Sequence, residues 1–513
     1  MNEGAGRLRA MSFAAAGLAV AAIPSAAVAA TPAPLPAPAV SSIPAMTPAF
    51  DPAVLDYSVT CPDGSVRLTA KSPNGVSVGW GTARARAGNT LVSTKLTPGK
   101  RTTFLVENRS RGRLVKRTTY SVRCQPADLP VLTATATGNP SVDWVLMVPR
   151  PNPFLGASSN YIVMYDRRGT PVWWYRTVTN ATEVEQVDSS SIVHFEELQP
   201  NPFQGGSFGR WIVRGLDGTV KATVQPPGVL LDQHDIARTS SGSWLTIAYE
   251  RRDGVNLRSL GGSSNSTVFD GVVREVSPAN QVLWTWKSAT KTTPGVTGGL
   301  ERPIPLRDGS GEAYDLVHAN SVSANGSDSA IVSLRAYDVV LNVSRKTGET
   351  LWQLGGRSTP ERLTVIGDPE TRPLVGQHDA RLLADGTLSV FDNGTTKDGF
   401  VRAPRAVRYR IDPAAKTATF ISQITDPAVP KSSICGSYRV LPSGNALIDW
   451  GGTRRITETT PDGTVVLTLI LPQSQILAYR AVPVSESSIS RKSLHSAMDK
   501  SLGGPAPPAR QAR

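Results

Sequence analysis

The chain has 513 residues, with 45 glycines, 40 prolines and a net charge of +13 at neutral pH. Its length suits two or three domains, and its composition favours many short strands and turns over long helices. Its basic residues are scattered rather than interleaved with aromatic residues, so no nucleic-acid groove is predicted. Such a basic surface would instead favour anionic substrates.

Residues 1–29 have the pattern of a secretory signal peptide. Arg7 and Arg9 supply the positive charge, residues 10–23 are apolar, and the segment ends in Ala-Val-Ala, a small-x-small cleavage pattern. The apolar run is too short for a typical spanning helix, and an uncleaved membrane anchor is the alternative interpretation. We therefore expect a secreted or extracytoplasmic protein without stable membrane insertion. A Pro/Ala-rich linker over 30–43 is expected to follow.

Residues 44–127 are predicted to form a small accessory β-sandwich. Alternating apolar runs are separated by Gly and Pro turns, and the strands YSVTC and YSVRC end in Cys61 and Cys124. Because export permits disulfides, these cysteines are predicted to pair across the first and last strands of the domain. The segment resembles the cadherin-like modules of bacterial exported proteins. Cys435 is then the unpaired cysteine.

From about residue 128 the chain repeats a hairpin of alternating apolar residues, whose second strand often holds a tryptophan. The six copies lie at residues 161–175, 211–224, 271–286, 339–354, 406–421 and 455–469. Most follow another strand pair, so the pattern predicts a six-bladed β-propeller over 128–484, closed by the apolar strand 476–484. A long β-sandwich or a solenoid is the alternative. Residues 485–513 lack periodicity and are predicted to be a disordered tail.

Three of the five histidines recur at the same position in successive repeats. His234, His318 and His378 each lie eight residues before the first-turn glycine of the third, fourth and fifth units. Each is expected to open the innermost strand of its blade. The three imidazoles should therefore converge on one mouth of the central channel. In the sixth unit this position is Gly436, beside Cys435.

Three roles are consistent with converging histidines. They could fill the channel with polar side chains that bond to one another, bind a metal ion, or carry out nucleophilic catalysis on an anionic group. Imidazole is a common zinc ligand. Arg335, predicted on the strand after His318, would weaken a metal site by repulsion but could clamp an oxyanion through paired donors. Asp235 and Asp379 follow two of the histidines, and their side chains are expected to point away and to be structural.

Five blocks of this sequence resemble the bacterial arylsulfate sulfotransferases (arylsulfotransferases, ASST). They are DLVHANSV, AIVSLRAYD, ETLWQLGG, GQHDARLLADGTLSVFDNGT and SGNALIDWGG, and the resemblance is specific over residues 230–455. It implies an exported six-bladed propeller with an N-terminal β-sandwich. It also implies ping-pong transfer of a sulfuryl group from an aryl sulfate donor to a phenol acceptor, through a sulfated histidine. Neither 3′-phosphoadenylyl sulfate nor another cofactor or metal is implied.

The resemblance also implies roles for individual residues. The QHDA motif makes His378 the nucleophile, and the HDI, HxN and SxR motifs arrange His234, His318, Asn320 and Arg335 around the sulfate. A nucleophilic imidazole must be neutral, and nearby Arg335 should lower the pKa of His378. His318 or His234 would exchange the proton with the phenols. A non-catalytic binding propeller and a metal-dependent propeller enzyme are the competing hypotheses.

Overall fold

The computed structural model describes residue 1 and residues 35–151, 160–200, 207–291, 303–306, 309–396 and 399–502. Apart from residue 1, the predicted signal peptide lies outside these residues. β-Strands dominate throughout, so the all-β prediction is confirmed. Within the described ranges, no helix has the length and apolar character needed to cross a membrane.

The N-terminal domain consists of two packed sheets. One contains Ala39–Ile43, Ser65–Lys71 and Asn89–Lys95. The other contains, in spatial order, Met46–Thr47, Asp56–Thr60, Arg113–Gln125, Arg101–Ser110, Val76–Trp80 and Arg86–Ala87. The predicted linker over 30–43 is therefore wrong for its last residues, because Ala39–Ile43 pairs with Ser65–Lys71 and buries Val40.

The predicted disulfide between Cys61 and Cys124 is present. Cys61 follows Asp56–Thr60, which runs parallel to Arg113–Gln125, the strand that carries Cys124. The bond thus joins neighbouring strands of one sheet. The strand leading to Cys61 is the third of the domain rather than the first, since two short strands precede it.

The rest of the described chain forms six mainly antiparallel sheets, numbered here in chain order. Sheet 1 contains Gln475–Val484, Trp144–Pro151, Tyr161–Asp166 and Pro171–Arg176. Sheet 2 contains Val184–Asp188, Ser191–Pro200, Ser207–Gly215 and Val220–Val224, with Leu231–Asp232 at its side. Sheet 3 contains Ile236–Arg238, Trp244–Val255, Ser266–Val276 and Val282–Lys287, joined by Glu312–Asp315 and Ile304–Pro305.

The last three sheets follow the same plan. Sheet 4 contains Ala319–Asn325, Ser329–Leu334, Val339–Ser344 and Thr350–Gly355. Sheet 5 contains His378–Leu382, Thr387–Asp392, Arg405–Asp412, Thr417–Ile424 and Thr364–Ile366, and Thr395–Thr396 with Gly399–Phe400 forms a separate ribbon. Sheet 6 contains Ser437–Val440, Ala446–Asp449, Arg455–Thr459, Val465–Ile470 and Thr133–Ala136. The helical segments within the described residues are Arg258–Leu260, Ser288–Lys291, Arg335–Tyr337 and Arg491–Ser501.

The strand named first in each sheet is the innermost one of a propeller arrangement. These strands contact one another in succession from sheet 3 to sheet 6, and then through sheet 1 to sheet 2. The closing strand expected over 476–484 is Gln475–Val484, which pairs with Trp144–Pro151. At the other end of the chain, Thr133–Ala136 pairs with Val465–Ile470 of sheet 6. Strands from both ends of the propeller sequence therefore complete its sheets, one in sheet 1 and the other in sheet 6.

The segment after the closing strand contains a helix, so the prediction of a disordered tail over 485–513 is wrong for Arg491–Ser501. Ser490 caps the helix by accepting a hydrogen bond from the backbone N–H of Ser493. Leu494 and Met498 lie on one face and are buried in the core of the propeller. Burial of this face offsets the low apolar content of the segment.

Candidate active site

The structure brings the three predicted histidines together at one end of the innermost strands of sheets 3, 4 and 5. The ring centres of His234 and His318 are 5.0 Å apart. Tyr479, on the closing strand, lies between the histidines, with its ring centre 5.7 Å from His234 and 6.3 Å from His378. The shared position of the three histidines in the blade repeat therefore predicted correctly that they meet.

The partners at Nδ1 divide the histidines into two kinds. His234 Nδ1 lies 2.5 Å from a carboxylate oxygen of Asp232, and His318 Nδ1 lies 2.7 Å from Asp315. His378 Nδ1 instead faces the amide oxygen of Asn393 at 2.7 Å. An adjacent carboxylate can compensate the charge of an imidazolium, whereas a neutral amide cannot. Sequence reasoning missed all three partners.

Local turns place the two carboxylates. The backbone N–H of His234 donates to Asp232, and that of His318 donates to Asp315, each at 2.9 Å. His318 is held at φ +45°, just before its strand begins. The sequence carried a signal for these contacts, because DQH and DLVH contain an aspartate two or three residues before the histidine. GQH, before His378, does not.

Burial and charge keep His378 neutral. The residue is 3% exposed. Burial, followed by the positive charge of Arg335, lowers the pKa of His378 well below its ordinary value. The backbone N–H of Cys435 donates to His378 Nε2 at 3.2 Å. Cys435 itself is buried and free of disulfides, and burial raises the pKa of its thiol to about 12, so the thiol stays protonated at neutral pH.

Arg335 reaches the site from a turn rather than from a strand, which corrects the expectation. Ser329–Leu334 ends one residue earlier, and Arg335–Tyr337 forms a 3₁₀ turn in which the backbone N–H of Asp338 donates to the carbonyl of Arg335. The backbone N–H of Arg335 donates to the carbonyl of His318. The guanidinium donates to the carbonyl of Ser433 at 3.1 Å. Arg335 is thus fixed to both His318 and the segment that precedes Cys435.

Asn320 is fully buried beside these groups. Its side-chain nitrogen donates to the carbonyl of Gln377 at 2.7 Å, and Gln377 immediately precedes His378. The carbonyl of Asn320 accepts from Arg480 at 2.9 Å and from the Tyr479 hydroxyl at 3.2 Å. Asn320 therefore connects the strand that follows His318 to the strand that carries His378.

A buried charge network adjoins the histidines along the innermost strands. Asp379 contacts Arg439, Arg381 and Arg480, while Asp235 contacts Arg381 and Arg480. Burial would raise the pKa of Asp379, but these arginines lower it overall. The two aspartates also accept backbone N–H groups from neighbouring sheets, at Val322 and Tyr438. Both aspartates therefore tie blades together, which fits the structural role expected for them.

No group of three or more His, Cys, Asp or Glu side chains is arranged to hold a metal ion in the described ranges.

Comparisons with known proteins point to one family. A family model described as Arylsulfotransferase (ASST) matches residues 214–471, half of the chain. No curated protein matches the chain.

The solved structures that this chain resembles share little of its sequence. A protein of unknown function from Bacteroides caccae is 12% identical, with 67% of this chain and 100% of that chain covered and a TM-score of 0.40. Virginiamycin B lyase from Staphylococcus aureus is 11% identical, with 74% and 94% covered and a TM-score of 0.30. A streptogramin B lyase is 8% identical, with 67% and 89% covered and a TM-score of 0.34.

Proposed function

The chain belongs to the arylsulfotransferase family, and we propose that it moves a sulfuryl group from an aryl sulfate ester to a phenol through a sulfated His378. The reaction would be ping-pong and independent of 3′-phosphoadenylyl sulfate. The observation that carries this assignment is the contrast at Nδ1: His378 faces an amide, whereas His234 and His318 face carboxylates. The disulfide between Cys61 and Cys124 supports an extracytoplasmic location.

His378 is the histidine best suited to nucleophilic attack. With its proton on Nδ1, the ring carries a lone pair on Nε2, and the lowered pKa of His378 preserves that neutral form. In the first half-reaction Nε2 forms a bond to sulfur, the bond between sulfur and the aryl oxygen breaks, and the phenolate leaves with the electron pair. In the second half-reaction the acceptor oxygen forms a bond to the same sulfur, the bond between Nε2 and sulfur breaks, and its electron pair returns to Nε2, which restores the neutral ring.

His318 is the proposed acid and base. Its side chain is 23% exposed, against 7% for His234, so it is the histidine more open to the phenol oxygens. Asp315 would compensate the charge of a protonated His318. His318 would donate its Nε2 proton to the leaving phenolate and then remove a proton from the acceptor. An unperturbed phenol has a pKa of about 10, so both transfers need such a group.

Negative charge on the sulfuryl oxygens would be stabilised by donors around Nε2 of His378. Arg335 supplies a guanidinium from the turn after sheet 4's second strand. The N–H of Cys435 lies 3.2 Å from Nε2, so it would be close to a sulfuryl oxygen once sulfur is bonded to that nitrogen. His234 would be a third donor. Asn320, which braces the backbone before His378, would supply its second amide hydrogen.

Kinetics with a chromogenic aryl sulfate and a phenol acceptor test this proposal. Double-reciprocal plots should be parallel, and donor alone should release about one equivalent of the chromogenic phenol in a burst. Absence of any phenol release would favour the binding propeller. Turnover that chelators abolish and zinc restores would favour a metal enzyme instead.

A further inference from the structure

Asn393 is the partner that distinguishes His378 from the other two histidines. It follows Thr387–Asp392 on sheet 5 and is fully buried. We propose that Asn393 is a positioning residue for sulfuryl transfer: its amide oxygen holds the proton of His378 on Nδ1 and so presents an unprotonated Nε2 to the sulfuryl group. This inference rests on the proposed function for its catalytic meaning, but the position of the proton can be measured independently.

The neighbours of Asn393 fix the orientation of its amide. The side-chain nitrogen donates to the carbonyl of Cys435 at 3.1 Å and to the hydroxyl of Ser432 at 3.4 Å. A backbone carbonyl can only accept, so the nitrogen must face Cys435. The amide oxygen must then face His378 Nδ1, at 2.7 Å, and an oxygen there requires a proton on Nδ1.

The contact at Nε2 independently indicates that the proton of His378 lies on Nδ1. The backbone N–H of Cys435 lies 3.2 Å from His378 Nε2, and a backbone N–H can only donate. Nε2 must therefore hold a lone pair. The backbone of Cys435 thus determines the protonation of both ring nitrogens of His378. It acts directly at Nε2 and through the amide of Asn393 at Nδ1.

The Cys435 backbone is itself held in place. Cys435 adopts φ +60° and Gly436 adopts φ +109°, and the N–H of Gly436 donates to the carbonyl of Tyr479. A Cβ at Gly436 would lie 2.4 Å from the ring of Phe391, so a larger residue cannot replace this glycine without displacement. The hydrogen bond to Tyr479 and the ring of Phe391 therefore restrict the turn that directs the N–H of Cys435 at His378.

The charges around His378 explain why an amide is suitable at this position. A positive charge on Arg335, His318 or His234 disfavours a second proton on His378. The ring of Tyr479 adds no charge on the side of the closing strand. A carboxylate in place of Asn393 would compensate an imidazolium at His378, as Asp315 would for a protonated His318. His378 would then take up a second proton and lose its lone pair.

Nuclear magnetic resonance of the full chain with ¹⁵N-labelled histidine tests the position of the proton. The chain has only five histidines, so His378→Gln assigns the relevant signals. Wild-type His378 should show the neutral form with hydrogen on Nδ1 from about pH 5 to about pH 8. In Asn393→Asp the same ring should titrate within that range. A proton on Nε2 of wild-type His378 would overturn the inference. This result does not depend on whether Asn393→Asp folds.

A rate measurement tests the catalytic consequence. Transfer by Asn393→Asp should fall by at least about tenfold near pH 6 and recover about tenfold per pH unit as the ring deprotonates. Asn325→Asp is the matched control, because it adds the same charge at the far end of Ala319–Asn325, and its profile should follow the wild type. A sulfated His378 with an unchanged profile in Asn393→Asp would overturn the role of Asn393 alone. The expected proton position without any sulfated histidine would overturn the proposed function alone.

Discussion

Acid should destabilise this protein through His194, a buried histidine outside the candidate active site. The residue is 1% exposed on Ser191–Pro200 of sheet 2. Its Nδ1 lies 3.2 Å from the carbonyl of Phe195, and its Nε2 accepts from Arg214 Nε at 3.1 Å. Burial, followed by the charge of Arg214, lowers the pKa of His194 from 6.5 to about 3. A second proton would have to sit on Nε2, directly against the guanidinium.

The sign of the effect follows from the lowered pKa. The unfolded chain binds the proton more readily than the folded chain, so the contribution of His194 to stability is complete above about pH 6.5. Below that value it is lost at about 1.4 kcal/mol per pH unit until the pH approaches the folded pKa of about 3. At pH 5 the loss is about 2 kcal/mol, a considerable part of the 5–15 kcal/mol typical of folded domains.

Urea unfolding of the wild type and His194→Gln at about pH 7.5 and about pH 5 measures this loss. Near pH 7.5 the variant should be less stable by about 1–3 kcal/mol, because a glutamine amide does not reproduce both ring contacts, with the carbonyl of Phe195 and with Arg214. Near pH 5 that difference should shrink by about 2 kcal/mol, since glutamine does not titrate. The reasoning is refuted if the difference between the two proteins is the same at both pH values.

Three further predictions concern the site, the sandwich and the C-terminal helix. Arg335→Lys should still sulfate the enzyme in a rapid-quench assay but at least about tenfold more slowly, because a point charge replaces a paired donor; an unchanged rate would remove Arg335 from the mechanism. Cys61→Ser should lower the free energy of unfolding of the sandwich by about 4 kcal/mol, because the bond to Cys124 spans 63 residues; non-reducing peptide maps with both wild-type thiols free would contradict this. Leu494→Ala should cost about 2–5 kcal/mol in thermal or urea unfolding, because the side chain is 0% exposed; a neutral effect would mean that the helix does not dock.

The sequence could predict the convergence of the histidines because a repeat fixes it. His234, His318 and His378 have the same register in three blades, so their common end of the channel followed without any knowledge of side-chain contacts. The register alone could not predict the partners of the histidines at Nδ1. Asn393 lies just beyond the strand Thr387–Asp392, and Cys435 reaches the ring from 57 residues away. Such contacts depend on how a loop from one blade is placed against the next.

Two errors have local physical causes. Arg335 was expected on a strand because the apolar alternation continues through it, but the backbone N–H of Asp338 bonds to the carbonyl of Arg335 and turns the chain there. The helix Arg491–Ser501 was missed because serine and basic residues surround its short apolar face. That face is stable only when packed on the propeller core, which composition alone does not reveal.

The location of the sulfuryl group after reaction with donor alone tests the central claim most directly. Peptide mapping under mildly alkaline conditions, where the nitrogen–sulfur bond is expected to last, should place one sulfuryl group on the peptide that contains His378. A phenol acceptor should then remove it, and His378→Ala should give neither the label nor the burst. A label on a peptide containing His318 or His234, or a burst that survives in His378→Ala, would contradict the account.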